Sequence, residues 1–277
     1  MKYLFHFAMM KECPTEFIKL PEDVHDDLSG DDIVGLFDTI YPNIKFWVSG
    51  VGCNNVLYPD YEVIDYLKTC DYVYSFGLSG SINDNLKVGD LVNVHSVNNL
   101  DVKIPGYGLG CTDDFDADCL GCSKSNLTAL SDFNTRVICY TSNRFVTKEY
   151  LDFLFGDTSD DDLNDFYEGA FNQFAAKNYL DLSFEDNFDI EDMVTSLVGF
   201  VDEPKEDCIV CEMELFYLKK LVDVVNKSCP VCAYKLVSDV VCKPDNYEEY
   251  EGSLQTLLSS LHFTVGAAVK ELGLDGE

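Results

Sequence analysis

The chain has 277 residues, 47% of them hydrophobic, which fits one large domain or two small ones with a sizeable core. Its 50 acidic residues outnumber 19 basic ones, and the formal net charge of −31 disfavours binding to nucleic acids or anionic membranes, which need basic patches. Only two basic residues are arginines, Arg136 and Arg144, which limits bidentate recognition of phosphate. A salt-adapted surface is the alternative explanation of the acidity, but the 12 cysteines fit it poorly.

The apolar N-terminus predicts a buried first strand, because Lys11 and Glu12 interrupt it and no small-residue cleavage site follows. The sequence contains no run of about 20 apolar residues, so we expect no transmembrane helix. We therefore expect a cytoplasmic protein without a membrane partner, whose cysteines are free thiols. Cys119 and Cys122, with Cys111 nearby, have the spacing of a zinc knuckle, but no fourth ligand is evident and we predict no metal site.

Short apolar runs alternate with helical stretches along the chain, a pattern typical of an α/β fold. The predicted strands span 2–8, 45–49, 72–76, 90–95, 137–141, 208–211 and 233–238. The predicted helices span 55–68, 147–155, 163–177, 212–225 and 247–272, the last with an apolar stripe for docking on a sheet. With no internal repeat or separable second domain, we treat 1–277 as one domain.

The segment at about 152–207 differs in composition from the rest of the chain. It holds 17 acidic residues and two lysines, Lys177 and Lys205, so its surface has one sign of charge. Aromatic residues recur in it near helical spacing. We interpret it as an acidic insertion with one or two helices, which serves as a lid, an oligomer contact or decoration.

Acidic residues follow three of the predicted strands. Glu12 comes after the first strand, Glu212 and Glu214 come after the sixth, and Ser238-Asp239 closes the last. In an open α/β sheet, ligands bind beyond the carboxyl ends of the strands, so these acids can converge on one cleft. Each of them alone is unremarkable at a strand end or a helix N-terminus.

Two glycine-containing stretches follow predicted strands. One is Ser49-Gly50-Val51-Gly52, a tight strand-to-helix turn without the acidic residue that a dinucleotide site would need. The other is Ser75-Phe76-Gly77-Leu78-Ser79-Gly80-Ser81-Ile82, followed by Leu86-Lys87-Val88-Gly89-Asp90. The glycines of the second stretch predict a turn at which backbone amides approach a ligand closely.

In this order and spacing, these stretches resemble the purine nucleoside phosphorylase and nucleosidase superfamily, and within it 5′-methylthioadenosine/S-adenosylhomocysteine nucleosidase. The match covers the chain apart from the acidic insertion. The resemblance implies a three-layer sandwich around a central mixed, twisted β-sheet. It also implies hydrolysis of the N-glycosidic bond of a purine nucleoside in purine and sulfur salvage, without a metal or organic cofactor.

The resemblance assigns catalysis to two carboxylates. Glu12 would activate the attacking water. Asp239 would donate a proton to N7 of the purine, so that adenine leaves as a neutral base, and Ser238 would orient Asp239. A proton donor and a proton acceptor of the same residue type need different surroundings to hold different protonation states.

The remaining site residues would bind the nucleoside. Phe145 would stack on the purine and the backbone of Val146 would read the base edge. In the motif Glu212-Met213-Glu214, Met213 would pack on the sugar, and Glu214 would accept hydrogen bonds from the ribose 2′ and 3′ hydroxyls. Gly80 and Leu78 would contribute the glycine turn, and Tyr107 would cross the interface of a homodimer toward the 5′ pocket.

Four positions depart from the pattern of the superfamily. Ser75 stands where hexameric phosphorylases carry an arginine that grips phosphate, and Leu78 replaces a serine that often contacts the anion or water. Both departures argue against phosphate as co-substrate. Asn143 replaces an acid, and Arg144 is unexpected: it would pair with an acid of the insertion, face a substrate phosphate, or lie solvated on the surface.

Three alternatives stay open. The first is a phosphorylase, which would need a positive charge from Lys11 or Arg144. The second is a hydrolase of the same fold that acts on a nucleotide or a futalosine-like nucleoside. The third is a binding protein without catalysis, which the joint presence of Glu12, Glu214 and Asp239 disfavours.

Overall fold

In the computed structural model, the described residues are 1–19, 33–82, 84–101, 118–119, 127, 130, 135–148, 150, 208–241 and 246–274. The strands are β1 (Tyr3–Phe7), β2 (Gly35–Asp38), β3 (Ile44–Val48), β4 (Tyr72–Ser81), β5 (Leu91–Asn99), β6 (Asp118–Cys119), β7 (Arg136–Thr141), β8 (Ile209–Glu212) and β9 (Val231–Val240). The α-helices are α1 (Cys53–Leu57), α2 (Tyr61–Leu67), α3 (Leu215–Val225) and α4 (Asn246–Leu274). Short 3₁₀ helices span Met10–Glu12 and Thr15–Phe17.

The strands form one mixed sheet in the order β2-β3-β1-β4-β8-β7-β5-β6, and β9 pairs with both β4 and β5. β1 lies between β3 and β4, parallel to both, and all five of its residues are buried. A strand covered on both faces is expected to be apolar throughout. The mixed α/β class predicted from the sequence is thereby confirmed.

The double pairing of β9 closes part of the sheet into a ring. β4 pairs with β8, β8 with β7, β7 with β5, β5 with β9, and β9 with β4. Closure brings the ends of β4, β8 and β9 together although they lie far apart in the sequence. The three-layer arrangement stays a prediction, and the acidic insertion at 152–207 lies outside the described residues.

Helix α4 covers one side of the sheet, as its apolar stripe predicts. The buried side chains of the stripe recur at helical spacing and pack with Phe5, Phe7 and Phe76, and they are Leu257, Leu261, Val265, Ala268, Val269 and Leu272. Helix α3 packs its own apolar face into a second cluster with β4, β5 and β9. The two clusters hold the strands from both sides.

Several predicted boundaries shift. The helix predicted over 55–68 is two helices, α1 and α2, separated by Pro59, whose ring removes a backbone donor. The glycine stretch around Gly77 and Gly80 belongs to β4, with a register shift against β9 between Ser79 and Gly80, and is not a free turn. Glu212 ends β8, and helix α3 begins later than predicted, at Leu215.

The cysteines divide into two states. Cys13, Cys53, Cys70, Cys139, Cys208, Cys211 and Cys229 are free thiols. Cys232 is disulfide-bonded, so the expectation of free thiols is wrong for this residue.

Among the residues that the structure describes, no group of three or more His, Cys, Asp or Glu side chains is placed to hold a metal ion. Cys111 and Cys122 of the possible zinc knuckle lie outside those residues. None of the described helices is long and apolar enough to cross a membrane.

Candidate active site

A cleft of about 280 Å³ opens where β1, β4, β8 and β9 end. It is lined by ten of the eleven residues predicted from the sequence: Glu12, Leu78, Gly80, Phe145, Val146, Glu212, Met213, Glu214, Ser238 and Asp239. The eleventh, Tyr107, lies outside the described residues. A volume of this size is near the lower end of the range for small-ligand pockets.

Glu12 is held at the end of β1 by backbone donors. Its Oε2 atom accepts hydrogen bonds from the amides of Ala8 and Met9, each at 3.1 Å, and Oε1 accepts one from the amide of Leu78 at 3.1 Å. Gly77 permits this approach, because a Cβ there would lie 3.2 Å from Oε1. The carboxyl is 2% exposed. Burial raises the pKa of Glu12, although Lys235 and the three amides act in the opposite direction.

Asp239 lies in β9 against β4, and Ser238 links the two strands. The Ser238 hydroxyl is 2.7 Å from Oδ1 of Asp239 and 3.1 Å from the carbonyl oxygen of Ser79. A hydroxyl has one proton. It donates to Oδ1 when Asp239 is ionised, and it accepts from a protonated Oδ1 while donating to Ser79. The site therefore accommodates Asp239 with and without its proton, as a general acid requires.

Gly80 makes room for that carboxyl. A Cβ on Gly80 would lie 3.1 Å from Oδ2 of Asp239 and 2.9 Å from Cγ2 of Val241. Glycine at this position therefore leaves space for the side chains of Asp239 and Val241.

Glu214 sits at the N-terminus of helix α3, and its Oε1 atom accepts a hydrogen bond from the amide of Gly52 at 2.8 Å. Of the two carboxyl oxygens, only Oε1 is bonded to the described part of the chain. The side chain is buried and also lines the cleft. Burial, followed by the neighbouring Glu212, raises the pKa of Glu214 to about 8, while Lys235 and Gly52 oppose the rise.

Glu212 is bound by the protein itself. Its carboxylate accepts hydrogen bonds from the amides of Glu214 and Leu215 at the start of α3 and from the hydroxyl of Thr141. Lys235 Nζ lies 3.3 Å from its Oε2 atom. Its oxygens are thus already bonded to the start of the helix, to Thr141 and to the lysine. Glu214 is therefore better placed than Glu212 to bind a ligand.

Lys235 pairs with Glu212 of the cleft, and the sequence analysis did not predict this. It is a fully buried lysine in β9, four residues before Asp239, and it interacts electrostatically with Glu12, Glu212 and Glu214. These carboxylates raise the pKa of Lys235 against the effect of burial. A lysine in the run Val231-Cys232-Ala233-Tyr234-Lys235-Leu236-Val237 was the available signal, because a buried charge needs partners.

Aromatic residues form the open side of the cleft. Phe145 is 38% exposed, and its ring meets that of Tyr250 from helix α4 edge-on, with 5.8 Å between the ring centres. Tyr250 was not foreseen, because nothing in its local sequence places it near Phe145. Arg144 also lines the cleft, and its guanidinium stacks over the ring of Tyr150 at 4.8 Å.

No protein-family model matches the sequence. A search of curated proteins likewise finds no match. Solved structures do match over nearly the full length. The chain is similar to 5′-methylthioadenosine/S-adenosylhomocysteine nucleosidase from Neisseria meningitidis in complex with methylthio-immucillin-A, at 17% identity and a TM-score of 0.60, covering 98% of this chain and 99% of that one.

Two further structures extend this likeness. The Streptococcus pneumoniae MTA/SAH nucleosidase in complex with 8-aminoadenine matches at 14% identity with a TM-score of 0.58, and a futalosine hydrolase mutant of Helicobacter pylori at 14% identity with a TM-score of 0.56. Each match covers 98% of this chain and 99% of the other. The chain therefore has the fold of these solved structures, as the resemblance of the motifs predicted. At these identities the likeness establishes the fold, and the chemistry has to be argued from the cleft.

Proposed function

We propose that the protein is an enzyme that hydrolyses the N-glycosidic bond of a purine nucleoside, with 5′-methylthioadenosine or S-adenosylhomocysteine as substrate and adenine as a product. The observation that carries the proposal is that Glu12, Glu214 and Asp239, from three separate parts of the chain, line one cleft with Phe145 and Val146. Two carboxylates and a sugar-binding acid beside an aromatic ring are the groups that this reaction needs.

In the proposed reaction, Asp239 activates the leaving group. It gives its proton to N7 of the base while the bond between C1′ and N9 breaks, so the base leaves neutral. Ser238 turns its hydroxyl from the Ser79 carbonyl to the newly ionised Oδ1, which stabilises the charge left on Asp239. Glu214 holds the ribose through its hydroxyls.

Glu12 activates the attacking water molecule. It takes a proton from a water molecule as the water oxygen bonds to C1′, which yields the free sugar. Burial raises the pKa of Glu12 and makes its carboxylate a stronger base than an exposed glutamate. The negative charge of the ionised Glu12 carboxylate also favours a cationic, oxocarbenium-like transition state.

Water is the favoured nucleophile because the position of the phosphate-binding arginine is neutral. Ser75 is fully buried, and its hydroxyl lies 3.3 Å from Nδ1 of His6. Burial lowers the pKa of His6 to about 3, with Lys235 adding to the effect, so the imidazole carries no charge near neutral pH. Lys235 itself is paired with Glu212. Among the residues that the structure describes, neither His6 nor Lys235 therefore supplies a free positive charge beside Ser75 to attract phosphate.

The decisive experiment is adenine release from 5′-methylthioadenosine, measured in phosphate-free buffer and again with added phosphate. The proposal expects release at the same rate in both buffers, with the free sugar as the second product. Release only with phosphate, accompanied by a sugar phosphate, would establish a phosphorylase. Adenine bound without turnover in either buffer would indicate a binding protein.

Arg144 favours a second candidate function, hydrolysis of a nucleotide or of a nucleoside with an anionic substituent. Among the described residues it pairs with no carboxylate, although the chain has 50 acidic residues, and it lies in the lining of the cleft. Comparing 5′-methylthioadenosine with adenosine 5′-monophosphate tests this candidate. A preference for the monophosphate that Arg144→Gln abolishes, but Arg136→Gln does not, would support it.

We also propose that the protein is a cytoplasmic homodimer in purine and sulfur salvage, with Tyr107 reaching the partner's 5′ pocket. Exposed apolar side chains support a subunit contact here. Val51 lines the cleft, and Leu57 at the end of α1, Tyr58 directly after it and Tyr61 at the start of α2 follow along the chain. Light scattering of the purified chain tests the dimer, and Val51→Asp together with Tyr58→Asp should dissociate it.

A further inference from the structure

His6 occupies a polar pocket inside an otherwise apolar strand. In the register of the sheet it stands beside Trp47 of β3 and Ser75 of β4, and it is 1% exposed. Its ring centre is 5.0 Å from that of Trp47. Nε2 lies 3.0 Å from the Ser49 hydroxyl, and Nδ1 lies 3.3 Å from the Ser75 hydroxyl. The mechanism proposed above gives this histidine no chemical step.

The hydrogen bonds fix the direction of each proton. The Ser49 hydroxyl donates its one proton to the carbonyl oxygen of Gly50 at 2.8 Å. Its oxygen must therefore accept a hydrogen bond from Nε2–H of His6. His6 therefore carries its proton on Nε2, and Nδ1 accepts from the Ser75 hydroxyl. Both ring nitrogens are satisfied by a neutral imidazole, which suits its burial.

Ser49 begins a segment that leads directly to Glu214. Its amide donates to the carbonyl of Phe7 at 3.0 Å, which ties it to β1. Gly50 and Gly52 then take φ values of +84° and +98°, in the region that favours glycine. Between them, the carbonyl of Val51 accepts a hydrogen bond from Asn55 at 2.8 Å. The amide of Gly52 donates to Oε1 of Glu214 at 2.8 Å.

We infer that His6 is a positioning residue, which acts through Ser49 and the Gly50–Gly52 turn to aim the Gly52 amide at Glu214 and so fixes the sugar-binding carboxylate. The turn has two glycines and no apolar anchor between them, because Val51 is 46% exposed. Its conformation therefore depends on its polar attachments, and among these the bond from His6 is the one made by a side chain of β1. The part of this inference that concerns the sugar rests on the proposed function.

The test compares three variants of the full chain. His6→Phe keeps a ring against Trp47 and removes both hydrogen bonds. Ser49→Ala removes only the link from His6 to the turn. It replaces His6→Phe as the test variant if His6→Phe does not fold. Ser75→Ala is the matched control, because it removes the partner of Nδ1 and leaves the bond from Nε2 to Ser49 in place. Thermal unfolding identifies the folded variants.

The first readout is amide hydrogen exchange of Gly52, followed by two-dimensional NMR, which needs no substrate. We expect exchange to become at least about 10-fold faster in His6→Phe and Ser49→Ala, because the bond to Glu214 opens more often. The Ser75→Ala control should stay within about 2-fold of the native chain. Equal Gly52 exchange in the native chain and in folded His6→Phe and Ser49→Ala would overturn the inference.

The second readout is the ratio of kcat/KM for 5′-methylthioadenosine to that for its 2′-deoxy analogue. A misplaced Glu214 loses its bond to the 2′ hydroxyl, so the ratio should fall about 5- to 10-fold in His6→Phe and Ser49→Ala and hold in Ser75→Ala. An unchanged ratio in the first two variants counts against the inference. If the native chain hydrolyses neither nucleoside, the proposed function fails, and the exchange of Gly52 still decides the role of His6.

Discussion

Lys235 and Glu212 form an ion pair inside the sheet, with Nζ 3.3 Å from Oε2 and side chains that are 3% and 2% exposed. Lys235 also interacts electrostatically with Glu12, the candidate general base, and with Glu214, the candidate sugar-binding acid. One buried cation thus serves three buried carboxyls. Coulomb interactions are strong in such a place because little water screens them.

Removing this cation should destabilise the protein strongly. We expect Lys235→Met to lower the free energy of unfolding by about 3–5 kcal/mol at neutral pH, because it leaves the Glu212 carboxylate buried without its partner. Urea unfolding followed by circular dichroism measures the change. The control is Lys235→Met combined with Glu212→Gln, which should recover most of the loss. A free energy of unfolding of Lys235→Met that lies within about 1 kcal/mol of the native value would contradict this account.

Replacing Gly80 with alanine should abolish activity while leaving the fold intact. The new Cβ would lie 3.1 Å from Oδ2 of Asp239 and 2.9 Å from Val241, so the carboxyl must shift. We expect kcat/KM to fall by about 100-fold or more, since such a shift misplaces the proposed general acid. Gly252→Ala is the matched control, because a Cβ there meets nothing within 4 Å and the residue lies exposed in helix α4. This control should keep full activity and gain about 1 kcal/mol of stability.

The roles proposed for the two carboxylates, Glu12 and Asp239, can be distinguished by changing the leaving group. Asp239→Asn and Glu12→Gln should each lower kcat on 5′-methylthioadenosine by about 100-fold or more, because each removes a proton transfer. With 4-nitrophenyl riboside, whose leaving group departs without protonation, Asp239→Asn should regain most of the native rate and Glu12→Gln should not. Stopped assays at saturating substrate measure both rates. Recovery in Glu12→Gln, or none in Asp239→Asn, would show that the roles are misassigned.

Glu214 should make stability fall as the pH rises. Its pKa is about 8 in the folded protein, against 4.5 for an ordinary glutamate, so the folded chain keeps a proton that the unfolded chain releases. The stabilisation by this group is therefore complete below about pH 4.5 and is lost as the pH rises through about 8.

The neutral variant Glu214→Gln isolates this effect. Its amide oxygen can still accept from Gly52, and it carries no charge to desolvate. We expect Glu214→Gln to be more stable than the native chain at pH 9, by about 1–4 kcal/mol, and to differ little at pH 5. Urea unfolding at the two pH values measures this, while kcat/KM should fall because the ribose contact weakens. A stability difference that is the same at both pH values would contradict the assigned pKa.

The sequence alone determined the class of fold, and most of the site residues that it predicted line one cleft. The alternation of strands and helices predicted an α/β protein, the stripe of α4 predicted its packing, and the spacing of Glu12, Glu214 and Asp239 predicted that they would meet. These signals are local: they depend on side-chain periodicity and on which residues follow a strand. They survive the shifts of boundary at Pro59 and Gly80, because a pattern tolerates an error of a few residues.

The tertiary structure alone decided what surrounds those carboxyls. That Lys235 faces Glu212 and that Tyr250 meets Phe145 depend on the pairing of β9 with both β4 and β5 and on the docking of α4. That His6 binds Ser49 depends on the pairing of β1 with β3. Residues so far apart in the chain are brought together by closure of the sheet, which no local pattern records. Because the protonation of a buried acid depends on such neighbours, the sequence could name the acids, and only the fold could set their charges.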